Sequence, residues 1–172
     1  MGEYAEAETL TVESLESKRR VLGPEHATTL VSLNNLALVY KRSGRLNRAE
    51  VVHREEWELS KRVMGESHPE VLVSMLNLAR VLIELNRSDE AEALLSDAIT
   101  KAGVTLTENH PLRASLHQAR GDSFVAVKNL DSAKADYEKA RGIWIKIVGS
   151  TNERVEVLNA KIEKIDSVCV SC

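Results

Sequence analysis

Columns of identical residues recur every 42 positions along this chain. Gly23 returns as Gly65, His26 as His68 and His110, Leu30 as Leu72, Leu36 as Leu78, and Ala37 as Ala79. Ala7, Ala49, Ala91 and Ala133 form a column of four, and Leu46 returns two periods later as Leu130. A fixed period of roughly 20–50 residues decides the architecture, because each unit leaves an apolar face that only the next unit can bury. Within a unit the apolar spacing is helical and splits in two. Leu30, Leu33, Leu36, Ala37 and Tyr40 step by threes and fours, Ser43-Gly44-Arg45 interrupts them, and Leu46, Ala49, His53 and Trp57 resume. The next unit repeats this with Leu72, Met75, Leu78, Ala79 and Leu82, then Ala91, Leu94, Leu95, Ala98 and Ile99. Each unit is therefore expected to be a helix pair. No segment alternates apolar and polar residues, so no strand is assigned.

The expected organisation is one all-α array: a half repeat at 2–21, repeats at 22–63 and 64–105, a degenerate repeat at 106–147, and a capping helix at 150–168. Ser67-His68-Pro69-Glu70 and Ser150-Thr151-Asn152-Glu153 read as capping boxes. Gly23, Gly44 and Gly65 fall where helices must end. The alanine column has a steric cause: neighbouring helices approach closely where one side chain is a methyl, and Tyr40, Leu82 or Phe124 fills the gap opposite.

Composition narrows the function classes. An apolar share of 43% in 172 residues can bury a core, and a net charge of −3 with pI near 6 removes the bulk argument for nucleic acid. Six aromatics leave few rings for base stacking. No run of about 18 apolar residues marks a membrane span, and the acidic start MGEYAEAETL lacks the order of a signal peptide, so a cytoplasmic protein without membrane or nucleic-acid partners is expected.

Leu33, Leu36, Ala37, Tyr40, Gly44, Leu46 and Ala49 resemble the tetratricopeptide repeat. The 42-residue period and the linker LGPEH followed by TLVSLNNLALVYKRSGRLNRAE resemble the kinesin light chain subtype, whose relatives include arrays behind nucleotide-binding modules of receptor-like proteins. The likeness weakens along the chain: the Gly44 position becomes Asn86 and then Lys128, Leu33 becomes His117, and Leu36 becomes Arg120. A one-residue shift around Leu116 and Ala119 would restore that helix's apolar face. The resemblance implies an α-solenoid of about three and a half repeats in a right-handed superhelix, whose inner face holds a peptide or helix of a partner. Carried onto this chain, the peptide-binding positions are Asn34, Leu38, Lys41, Leu76, Arg80 and Gln118. An amide such as that of Asn34 donates and accepts at once and so suits an extended backbone. Lys41 and Arg80 favour an acidic segment. The Lys and Asn pair that reads a chaperone's C-terminal carboxylate is replaced by Asn34 and Leu38, so that ligand is not expected. The alternative is a sensor or assembly segment of a larger NB-ARC or NACHT-type protein.

No catalytic, metal or cofactor site is assigned. The three histidines are read as structural residues at helix starts, because ligands in different units cannot share one ion at about 2 Å. Glu55, Glu56 and Glu58 are read as a solvated face, and Trp57 and Trp144 as packing residues. Cys169 and Cys172 form half a zinc motif with no second half, and are read as free thiols in a tail. The first segment matches the second helix of a pair, so Tyr4, Ala7 and Leu10 are expected to need cover from preceding chain or another copy.

Overall fold

In the computed structural model the described residues are 2–169, with side chains described for 6–168. They form eight helices: α1 (Gly2–Leu22), α2 (Ala27–Arg42), α3 (Leu46–Met64), α4 (Pro69–Glu84), α5 (Ser88–Thr105), α6 (Pro111–Ala126), α7 (Leu130–Val148) and α8 (Glu153–Cys169). The starts of α2, α4, α6 and α8 are each 42 residues apart, as are those of α3, α5 and α7. The chain divides into two compact units, Met1–Leu85 and Asn86–Cys172. In the first, α1 packs on α2, α2 on α3 and α3 on α4; in the second, α5 packs on α6, α6 on α7 and α7 on α8.

The histidine column sets the helix starts. His26, His68 and His110 are extended N-caps whose Nδ1 accepts from the backbone N–H of Thr28, Glu70 and Leu112 at 3.3, 3.2 and 3.1 Å. Pro69 and Pro111 occupy the first helical turn, have no N–H to satisfy, and hold the residue before them extended. The cap at α4 is therefore His68, not the expected Ser67. At α8 it is Asn152, whose Oδ1 accepts from Arg154 N–H at 3.0 Å, in place of the expected Ser150.

Helix ends repeat as well. Gly44, Asn86 and Lys128 share one column and all have left-handed backbones, with φ of 75, 60 and 61°. Arg45 N–H bonds Tyr40 C=O and Asn129 N–H bonds Phe124 C=O, both at 2.9 Å, the six-to-one closure that needs a left-handed residue between them. The sequence departs from glycine here while the turn does not change.

In the first unit Leu15, Leu30, Leu33 and Leu36 form a core against Val12, Tyr40, Val52, Leu59 and Met64. In the second, Tyr137 and Trp144 pack with Ala133, Ala140 and the α8 stripe Val155, Leu158, Ile162 and Ile165. Ala49, Ala91 and Ala133 are fully buried. A Cβ on Gly121 would lie 2.5 Å from Tyr137 Cε1, so the column that carries Ala37 and Ala79 shrinks to glycine where the neighbouring ring is largest.

The helix α6 keeps its register without a one-residue shift. His117 and Arg120 instead turn their polar groups onto Asp136 of α7, which is 2% exposed. His117 Nδ1 donates to Oδ1 at 2.9 Å, Arg120 Nε to Oδ2 at 2.6 Å and Nη2 to Oδ1 at 2.9 Å, while Nη1 reaches Ser96 Oγ at 3.1 Å. Burial pushes the Asp136 carboxyl up, but the bonds and charges of Arg120 and His117 outweigh it and hold the pKa at about 2.

Leu10 is 60% exposed. The side chains of Tyr4 and Cys169, and all of Cys172, lie outside the described residues.

Candidate partner-binding groove

The first unit carries a cleft of about 290 Å³ where α2, the end of α3 and the start of α4 meet. Its rim holds an amide pair: Asn77 Nδ2 donates to Asn34 Oδ1 at 3.0 Å. The two residues are 43 positions apart, one more than the period, so the bond runs diagonally between the first helices of successive pairs. It leaves the Asn34 amide nitrogen and the Asn77 carbonyl oxygen for other partners, a donor and an acceptor side by side. Val31, at 58% exposure, and half-buried Val73 give the same cleft an apolar wall.

A carboxylate forms part of the lining. Glu56 is 6% exposed and does not belong to a solvated face; only Glu55 and Glu58 do, paired with Arg19 and with Lys61 at 3.0 Å. The cause is spacing: Ala49, His53, Glu56 and Ser60 follow one another at steps of four, three and four and form the buried stripe of α3. Ser60 and Ser74 hydroxyls each donate to Glu56 Oε1 at 2.8 Å. Oε2 is buried without a hydrogen-bond partner among the described residues. Burial raises the Glu56 pKa, against the two serine bonds that lower it. One turn earlier His53 is fully buried with neither ring nitrogen bonded among the described residues, and burial, helped by the charge of Lys41, lowers its pKa to about 4.

Of the residues expected to bind a partner, Asn34 lies half-buried on the cleft. Leu38 and Lys41 follow it on α2, also half-buried, and Lys41 Nζ is held by Glu84 Oε1 at 2.9 Å. Arg80 is exposed on α4. Leu76 is 4% exposed, so it packs rather than presenting a surface. Gln118 is half-buried on α6, in the second unit. Sequence reasoning missed Asn77 and Glu56. Asn77 shares a column with Asn35 rather than Asn34, and only the diagonal contact reveals its role.

Trp144 is 3% exposed under Arg154, whose guanidinium carbon is 4.2 Å from the ring centre. Half-buried Trp57 lies beneath Lys61 at 4.8 Å. Among the described residues no group of three or more His, Cys, Asp or Glu could hold a metal ion, and no helix is long and apolar enough to cross a membrane.

Paired helices on a strict period, capped alike and carrying polar side chains between successive first helices, define a repeat scaffold of the α-solenoid class. Family models described as the tetratricopeptide repeat match residues 1–56 and 71–112, together more than half of the chain, and the chain belongs to that family. The fold is shared with kinesin light chain-like arrays. A protein of Podosopora anserina, provisionally assigned as a kinesin light chain with nearly identical TPR-like repeats, is similar over 99% of this chain and 80% of its own, at 21% identity and a TM-score of 0.83. BtubC (BKLC) of P. vanneervenii is similar over 98% of this chain and 67% of its own, at 19% identity and a TM-score of 0.84. Among curated proteins none matches significantly. Tetratricopeptide arrays are protein–protein interaction scaffolds, and this chain is of that class.

Proposed function

We propose that the chain is a non-catalytic scaffold whose first unit captures an extended segment of a partner protein across the α2 and α4 faces. The observation that carries this reading is the Asn34 and Asn77 pair, which offers one donor and one acceptor beside an apolar wall. An extended backbone presents the complementary acceptor and donor at every residue, so the pair holds a strand-like segment without reading its side chains.

Charge refines the ligand. Lys41 is tied to Glu84, which offsets the positive field that would favour an acidic segment. Glu56 and Glu70 line the cleft instead, and Glu56 keeps an unbonded oxygen. The segment we assign to this groove carries apolar residues for Val31 and Val73 and a donor side chain, lysine, arginine or asparagine, directed at the Glu70 side.

The test is a phage-displayed library of random 12-residue peptides selected on the protein, with binding of individual synthetic peptides measured by fluorescence anisotropy. Asn34→Ala with Asn77→Ala should weaken the selected peptides at least fivefold while helicity by circular dichroism stays unchanged. Selected peptides that bind the double variant as tightly as the wild type would move the site elsewhere.

A further inference from the structure

We propose a second docking site, independent of the α2 and α4 groove: the cleft in the second unit formed by the last turns of α6 and α8 and the start of α7, which takes an acidic segment of a partner protein with bulky apolar residues at its centre. The cleft measures about 630 Å³, within the range of roughly 300–1,000 Å³ typical of ligand sites. Ile165 and half-buried Leu130 belong to its lining, and Val125 and Val168 stand 41% and 47% exposed beside them. Four apolar side chains converging on one concavity are the receptor half of an apolar anchor.

The charge around that concavity is predominantly positive. Lys128, Lys161 and Lys164 line the cleft against one acid among its described lining residues, Asp122, in a chain whose net charge is −3. Asp122 is already committed: Tyr137 Oη donates to its Oδ1 at 2.7 Å, and Lys161 forms an ion pair with the same oxygen. Lys161 also sits 5.0 Å from the centre of the Tyr137 ring. That leaves Lys128 and Lys164, both exposed, whose ammonium groups have no ion pair or hydrogen bond among the described residues. Two unspent cations beside an apolar floor attract an anion that brings its own apolar group.

Lys128 owes its place to the turn between α6 and α7. It stands in the left-handed position that Gly44 fills in the first unit, where a side chain is strained. The turn needs that backbone for its six-to-one closure, Asn129 N–H to Phe124 C=O at 2.9 Å, and the side chain it carries ends in an ammonium with no ion pair among the described residues. The two free lysines come from different elements, the α6–α7 turn and α8, so the charges fit acids at separate points along a chain better than a single headgroup.

The probes are two fluorescein-labelled 12-residue peptides with the same Leu-Phe-Leu centre, one flanked by Asp and Glu and the other by Lys, titrated by anisotropy at low and at 0.5 M salt. The acidic peptide should saturate, with an affinity that falls as salt rises. Lys128→Glu with Lys164→Glu should weaken it at least tenfold, and Val125→Asp at least fivefold. All three positions are exposed, so circular dichroism should be unchanged. Asn34→Ala should leave this binding intact, which separates failure here from failure of the α2 and α4 groove. Equal binding of both peptides, or indifference of the acidic one to the lysine reversals, would overturn the proposal. So would saturable binding of dodecanoate without binding of the acidic peptide, which would make this a site for small anionic amphiphiles.

Discussion

Replacing His53 with leucine should stabilise the first unit and remove most of its sensitivity to mild acid. His53 is fully buried on α3 with both ring nitrogens unbonded among the described residues, and its 42-residue counterpart Leu95 is fully buried as well. A leucine therefore has a precedent in the same place of the same repeat. At pH 7.5 the substitution removes an unsatisfied buried polar group, a cost of about 1–3 kcal/mol, so a gain of at least ~1 kcal/mol is expected. The larger effect is linkage. A histidine whose pKa falls from 6.5 unfolded to about 4 folded binds fewer protons in the native chain. This protonation cost is absent well above pH 6.5 and grows as the pH drops towards 4. Between pH 7.5 and 5.0 that difference corresponds to roughly 2 kcal/mol.

Urea unfolding followed by circular dichroism at pH 7.5 and pH 5.0, on wild type and His53→Leu, measures both effects. The variant's advantage should widen by about 2 kcal/mol at the lower pH. Glu56, whose raised pKa favours the folded chain as pH falls, is present in both proteins and cancels in the comparison. An advantage that is the same at both pH values would show that the buried ring is protonated or bonded in the native state. A variant less stable at both would show that the ring's packing outweighs its unmet polarity.

The remaining predictions concern the second unit. Gly121→Ala should cost about 1–3 kcal/mol, because the new methyl meets the Tyr137 ring at 2.5 Å. Tyr137→Leu, which restores the Ala79 and Leu95 combination of the preceding repeat, should recover most of that loss in a double-mutant cycle of melting temperatures. Asp136→Ala should cost about 3 kcal/mol by stranding Arg120 and His117, whereas His117→Leu, Arg120→Leu and Asp136→Leu made together should be neutral or stabilising. Denaturant midpoints decide this, and a triple variant as unstable as the single would mean that the polar groups are needed for the helices to pair.

The repeat was legible because close helix packing demands a residue of one size at one place in every pair, and Ala49, Ala91 and Ala133 meet that demand. Substitutions that preserve a function by other chemistry were harder to read. Asn86 and Lys128 look like decay of a glycine column, yet their backbones keep its left-handed turn. His117, Arg120 and Asp136 each look like the loss of an apolar position, since their columns hold Leu33 and Met75, Leu36 and Leu78, and Val52 and Leu94. Taken together they are one coordinated exchange, in which an imidazole, a guanidinium and a carboxylate replace three apolar side chains. Glu56 was hidden by its company: among Glu55, Glu58 and neighbouring basic residues its charge looked solvated, although its seven-residue step from Ala49 placed it on the buried face.

The two units satisfy their buried carboxylates differently, and the difference bears on where function sits. In the second, Asp136 is bonded through both oxygens and its pKa is driven down. In the first, one Glu56 oxygen, both His53 nitrogens and the Trp57 indole nitrogen lack hydrogen-bond partners among the described residues, and all three residues lie on α3; in the second, the Trp144 indole nitrogen is likewise unpartnered. Exchange for apolar residues, as at Leu95 in the next repeat, would relieve such groups at little steric cost. Local rules broken without compensation are expected beside sites where another molecule supplies the missing contact. Glu56 borders the cleft of Asn34 and Asn77, with its raised pKa making it a poor lone anion and a ready acceptor once a donor enters. The stability forgone on α3 thus supports the cleft of Asn34 and Asn77 as a site shaped by a ligand.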